Sequence, residues 1–190
     1  MKLTKPGELR SFAAYPRCWA DSRRVTRVTV SRQLFAVAAV SGLLSACYES
    51  PEPLAKPGKA ALDSQLSGEW LCKSPPGEGE SQKEAVLWVI PFDSKQYFAE
   101  WREGDDVSRY RAYPTEVGHD RLLNVEELTS HLGKGWVFFR YSLGTDGTLR
   151  LSVVSEDALG GLKGKAALVA IRHRVADDSL YEAFAVCRSS

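Results

Sequence analysis

The sequence predicts a mainly β protein: an antiparallel barrel or sandwich of about eight strands, with one helix before the last strand. Three observations carry this. From Leu66 onward, short runs rich in Val, Leu, Tyr, Phe and Trp are broken by turn residues at intervals near ten residues, the spacing of an all-β domain. A single stretch, 164–175, has helical spacing instead. A last short apolar run, 183–188, follows that helix.

The first strand is read over Gly68–Lys73, and Pro75-Pro76-Gly77 breaks the chain after it. Residues 85–90 are apolar throughout, the pattern of a strand covered on both faces, and Pro91 with Asp93-Ser94 ends that run. Residues 95–102 alternate, with Tyr97, Ala99 and Trp101 on one face. Gly104-Asp105-Asp106 turns into 107–113, and Gly118-His119-Asp120 turns into 121–128. In Trp136–Leu143, Val137, Phe139, Tyr141 and Leu143 share one face; Trp136, Phe138 and Arg140 take the other. Gly144-Thr145-Asp146-Gly147 is the clearest hairpin signal, because Asp-Gly supplies positive φ. Leu149, Leu151 and Val153 then alternate with Arg150 and Ser152. Beyond Gly160-Gly161, residues Ala167, Leu168, Ile171 and Val175 fall on one helical face. Successive short antiparallel strands favour a barrel or a sandwich, and closure removes exposed strand edges.

Upstream of the domain the chain reads as an export signal. Arg23, Arg24, Arg27 and Arg32 precede an apolar stretch of 11 residues, 34–44. That is too short to span a bilayer, which takes about 20 apolar residues, and it fits the apolar core of a signal peptide. Leu44-Ser45-Ala46-Cys47, at the end of that core, resembles the bacterial lipobox. The resemblance implies cleavage before Cys47, diacylglycerol on its thiol and acylation of the new amino group. Each buried CH₂ contributes about 0.8 kcal/mol, so several chains hold a protein on a membrane durably. Tyr48 after the cysteine, rather than Asp, implies the outer membrane, with the domain facing the periplasm. A signal of 46 residues is long. Since Met1 is the only methionine, a later start would be non-AUG, at Val25, Val28 or Val30. Ser22-Arg23-Arg24 resembles the twin-arginine export motif, but Thr26-Arg27 stand where phenylalanine and leucine are expected.

The expected organisation is therefore a signal peptide over 1–46, a Pro-rich tether over 47–61 carrying lipidated Cys47, and a β-barrel domain over 62–190. Residues 48–58 are rich in Pro and charge without an apolar period, as in an extended spacer. Charge partitions with the organisation. Residues 1–46 hold 8 Lys and Arg against 2 Asp and Glu, leaving 17 against 22 downstream, a net of −5. A mildly acidic domain has no basic footprint for nucleic acid. Cys18 falls in the discarded part. With Cys47 acylated, Cys72 and Cys187 are the pair that remains, and an oxidising periplasm permits a bridge between the first and last strands.

Gly68-Glu69-Trp70, opening the first strand, resembles the Gly-x-Trp signature of lipocalins and related calycin barrels. The resemblance implies an up-and-down barrel and an Arg near the last strand packed over the Trp, a role for which Arg188 is placed. In lipocalins the main helix follows the last strand, whereas here it precedes it.

Trp70, Trp88, Trp101, Trp136 and Tyr97 are the candidate lining of a ligand cavity; the alternative is that they fill the core. Glu100, Arg102, Arg109 and Arg111, on adjacent strands, read as a cross-strand charged face, or else as an anion site at a barrel mouth. His119, His131 and His173 have no partners at metal-ligand spacing. Glu126 and Glu127 point to opposite faces. No nucleophile stands with a base, and no phosphate-binding loop is present. The expectation is a non-catalytic envelope lipoprotein without a cofactor or metal. It would bind a small apolar ligand or lipid in its barrel, or else contact another envelope protein through its outer surface.

Overall fold

The computed structural model describes residues 47–75, 82–129 and 135–190. In it the alternating runs become β1 (Gly68–Lys73), β2 (Glu84–Pro91), β3 (Tyr97–Glu103), β4 (Asp106–Val117), β5 (Asp120–Glu127), β6 (Trp136–Leu143), β7 (Thr148–Val154) and β8 (Tyr181–Ser189), with helix α1 (Gly164–Arg174) between β7 and β8. Every strand pairs antiparallel with its neighbour in sequence, and β8 returns to β1, so the sheet is a closed barrel. Between the two architectures left open by the sequence, the barrel is the one adopted. His131 and the residues 1–46, including Cys18 and Leu44-Ser45-Ala46, lie outside the described residues.

Alternation sends one phase of each strand inward. Trp70 and Cys72 of β1, Leu87 of β2, Tyr97 and Ala99 of β3, Phe139 of β6 and Leu149 and Leu151 of β7 form one interior cluster. The opposite phase of β4 to β7 builds a second core outside the barrel. Tyr113, Leu122, Phe138 and Val154 meet Ala167, Leu168 and Ile171 of α1 there. A register shift in the β7–β8 ladder at Leu151/Ser152 leaves Phe184 unpaired between Ala183 and Ala185. The extra residue lets Phe184 and Ala185 both contribute to the interior.

The run 47–61 is not a free spacer. The β6–β7 ladder ends at Phe139–Val153, and above it residues 47–50 lie between the parting strands. Ser50 and Trp136 exchange backbone bonds at 2.8 and 2.7 Å, and the Tyr48 amide donates to the Val154 carbonyl at 3.1 Å. Next, Leu54 (2% exposed) enters the outer core. Its amide donates to Asn124 Oδ1 at 2.8 Å, its carbonyl accepts from Arg172, and the Ala55 carbonyl accepts from Tyr113 at 2.7 Å. The chain then reaches the end of the barrel opposite Cys47, where a 3₁₀ turn, Ser64–Leu66, buries Leu66. Composition suggested a solvated tether because these partners lie far away in sequence; Asn124 is 70 residues from Leu54.

Two further expectations are corrected. Residues 85–90 are not covered on both faces: Trp88 on the outer face is 42% exposed, because α1 and the N-terminal segment cover only the β4–β7 side. Arg188 does not pack over Trp70. It pairs with Leu71, one residue out of phase with the inward Trp70, and is exposed.

The β1–β8 seam has only four register pairs, Trp70–Ser189 to Lys73–Val186. One of these pairs is Cys72–Cys187, joined as a disulfide with Cα atoms 3.9 Å apart. Both cysteines are buried in the interior. A link across 115 residues of sequence removes loop-closure entropy from the unfolded chain, worth about 4–5 kcal/mol in the chain-entropy model. The double variant Cys72→Ala/Cys187→Ala is expected to lose about 4 kcal/mol in denaturant unfolding. A loss below about 1 kcal/mol would mean that the four-pair ladder closes the barrel unaided.

Candidate functional site

The interior changes character from one end to the other. At the lower end, where the chain enters β1, it is plugged. Asp63 caps the Ser64–Leu66 turn by accepting from the Gln65 amide. Tyr97 Oη accepts from the Asp63 amide at 2.5 Å and donates to the Asp63 carbonyl at 2.9 Å. Tyr141 Oη donates to Asp63 Oδ2 at 3.2 Å. Arg121 bonds to Tyr141 and to Glu116, the latter at 3.0 Å. Trp70 lies across this plug and donates its indole N–H to the Leu66 carbonyl at 3.0 Å. Burial pushes the Tyr97 hydroxyl up to about 12 and raises Tyr141 as well, so both remain neutral donors.

At the upper end the inward side chains are mostly apolar and partly accessible. Trp101 of β3, Val125 of β5, Val137 of β6 and Phe184 of β8 pack on the buried cluster without being closed over. Their rings form a chain: Trp101 to Phe184 at 5.4 Å, and Phe184 edge-on to Phe139 at 5.0 Å. In a closed barrel, inward side chains gain exposure only through an end; Val89, Tyr141 and Leu143 near the lower end are partly accessible as well, so the upper end is set apart by its apolar lining rather than by its exposure. Tyr110 (2% exposed) floors one wall, its hydroxyl raised well above its ordinary value by burial, with the Glu127 charge adding to the rise.

Two carboxylates stand on the inward phase at this mouth. Glu103 follows Trp101 in phase on β3, and Glu127 lies opposite Tyr110 on β5. Glu127 accepts from Thr129 at 3.0 Å. Glu103 Oε2 is buried without a hydrogen-bond partner. Burial, and then the nearby Asp106, push the Glu103 carboxyl above its ordinary value.

Of the five aromatic residues singled out in the sequence, only Trp101 lines the accessible half. Trp70 and Tyr97 belong to the lower plug. Trp88 is on the outer face. Trp136 is also outside, packed edge-on to Tyr113 at 5.4 Å under Arg111. The charged quartet lies on the outer wall as a cross-strand ladder, away from the mouth lining. Glu100 takes Arg102 at 2.6 Å and Arg109 at 3.0 Å, while Arg111 pairs with Glu126. Hydrogen bonds from Arg102 first, then Arg109, hold the Glu100 carboxyl below its ordinary value. His119 and His173 are exposed, and among the described residues no three His, Cys, Asp or Glu side chains are grouped for a metal.

Tyr110, Val125, Val137, Phe184, Glu103 and Glu127 are the lining residues that sequence reasoning missed. The glutamates carried a signal: each continues the apolar phase of its strand, Tyr97-Ala99-Trp101 and Leu123-Val125. Phe184 carried none, since a bulge sets its direction. Comparison with protein-family models, with curated proteins and with solved structures returned no match.

Removing the Tyr97 hydroxyl strands the Asp63 amide and carbonyl together. Tyr97→Phe is expected to cost about 1–3 kcal/mol in denaturant unfolding. An unchanged unfolding midpoint would show that the plug is held by Leu66 and Trp70 alone.

Proposed function

We propose that this chain is an exported, membrane-anchored, non-catalytic binding protein that holds a small apolar ligand in the upper half of its barrel. The observation that carries the reading is the difference in lining between the two ends: hydrogen-bonded Asp63, Tyr97, Tyr141 and Arg121 below, and the partly accessible apolar set Trp101, Val125, Val137 and Phe184 above. Concave sites lined by apolar and aromatic groups with a few polar ones are the usual form of small-molecule sites.

The anchor part of the reading rests on the apolar stretch 34–44 and on Leu44-Ser45-Ala46-Cys47. Cys47 bridges to Ser155 at the upper rim, so acyl chains on it would bring the mouth to the bilayer surface. In this structure Cys47 is disulfide-bonded; thioether and disulfide exclude each other at one sulfur, so the acylated form is a different covalent state. Cys47→Ser is expected to move the protein from the membrane fraction to the soluble periplasmic fraction, and unchanged partition would overturn the anchor.

A second reading has its own observation. On the uncovered outer face, Leu71 (53% exposed), Trp88 (42%) and Val186 (42%) lie on the adjacent strands β1, β2 and β8, a patch able to contact another envelope protein. Titration with the uncharged fluorophore N-phenyl-1-naphthylamine separates the two. Trp101→Ala is expected to weaken probe binding by about ten-fold, the scale of a lost aromatic wall, with Trp88→Ala unchanged. The reverse pattern would transfer the binding role to the outer face.

A further inference from the structure

We propose that the uncovered outer face of β8, β1 and β2 binds a second copy of this chain, in a two-fold dimer with Leu71 on the axis. This rests on that face being a contact surface and names what it contacts.

The barrel is closed, so no strand edge is open for a partner to extend. A contact on this wall is made by outward side chains, and the ladders fix their positions. Glu69 stands opposite Trp88, Leu71 opposite both Val86 and Arg188, and Lys73 opposite Val186. Leu71 is therefore the midpoint of a diagonal from Trp88 to Val186, about 17 Å long at ordinary sheet spacing. All three side chains are exposed. Glu69 and Arg188 mark out a second diagonal, parallel to the first and about 8 Å long.

Most charges on this wall are answered within the chain. Lys73 meets Glu84 at 2.9 Å, Glu100 takes Arg102 and Arg109, and the charge of Arg150, opposite Val186 on β7, acts on Asp146 of its own hairpin turn. Glu69 and Arg188 are exposed, and neither side chain has a partner among the described residues. The apolar patch thus carries one free charge of each sign. A partner surface of a single sign would match one and oppose the other.

A second copy matches both. The two-fold axis lies in the contact plane, passes through Leu71 and runs perpendicular to the diagonals. Leu71 then meets the partner's Leu71, Trp88 meets the partner's Val186, and Glu69 meets the partner's Arg188. The midpoints of the two diagonals fall within about 2 Å of this one axis. On both sides a bulky ring faces a smaller side chain, which suits close packing. The same rotation carries Glu84 toward the partner's Arg102. Strands of the two copies cross at about 70°, near the orthogonal arrangement of packed sheets. Convex walls crossing in this way touch over a compact patch, so the contact belongs with the smaller specific interfaces, about 1,200 Å² or less in total. It uses the same patch twice and closes at two copies.

The test is sedimentation equilibrium of the whole purified chain from about 1 to about 300 µM, a range that displays a concentration-dependent dimer. Glu69→Arg and Arg188→Glu are each expected to weaken the dimer about ten-fold, since each sets like charges together twice. Mixing the two variants in equal amounts is expected to restore the unmodified affinity, because opposite charges then face each other at both contacts. Glu69→Arg/Arg188→Glu in one chain is expected to do the same. A monomer throughout would overturn the second copy as occupant and leave the face to another protein, whose standing the Trp88→Ala titration decides. A dimer insensitive to both single variants, or weakened by them and rescued by neither route, would overturn this interface. Association that continues beyond two copies would overturn the two-fold.

Discussion

The structure depends on closing one seam. Seven of the eight strand junctions join strands adjacent in sequence; only β1–β8 must be brought together across the whole domain. That junction is entropically the most demanding to form, and with four register pairs it is also the shortest. Placing the disulfide there, at an inward pair, puts the covalent link where the ladder is weakest. An open β1–β8 edge would release Trp70, the lower plug that Trp70 holds through the Leu66 carbonyl, and the phase relation that sends aromatic side chains inward.

The second constraint is the N-terminal run. Residues 47–50 fill the gap where β6 and β7 part. Residues 54–55 are fixed on the outer wall by Asn124, Tyr113 and Arg172, and residues 63–66 plug the lower end. Asn124 is fully buried and meets three groups, giving Nδ2 to Thr115 and the Tyr113 carbonyl and taking the Leu54 amide on Oδ1. A buried amide with all these bonds made fixes position more than it adds stability. The run thus links rim to plug, and whatever is attached at Cys47 is attached to the mouth.

Much of this was legible in the sequence, and the misses follow a rule. Strict alternation sorted β3, β6 and β7 correctly into two faces without saying which was inner, so Trp136 was offered as cavity lining and lies in the outer core; the helical face of Ala167, Leu168 and Ile171 was plain. Where alternation was absent the face was not readable: residues 85–90 are apolar throughout, and nothing local says that Trp88 points out and Leu87 in. Where contacts are long-range, composition misled, so a Pro-rich run that hydrogen-bonds to β4, β5 and β6 was read as a spacer. Where a bulge intervenes, as at Phe184, alternation points the wrong way.

Glu100 and Glu103, three residues apart on β3, show how much a single phase decides. Glu100 faces outward, opposite Arg109 and beside Arg102, and its carboxyl is held below its ordinary value by their hydrogen bonds. Glu103 faces inward past Trp101, has one oxygen buried and unpartnered, and is pushed the other way. The chain has enough arginine on this wall to neutralise outward carboxylates, and it places none on the inward phase of β3 or of upper β4 and β5. A wall that only filled a core would gain from an apolar residue at Glu103.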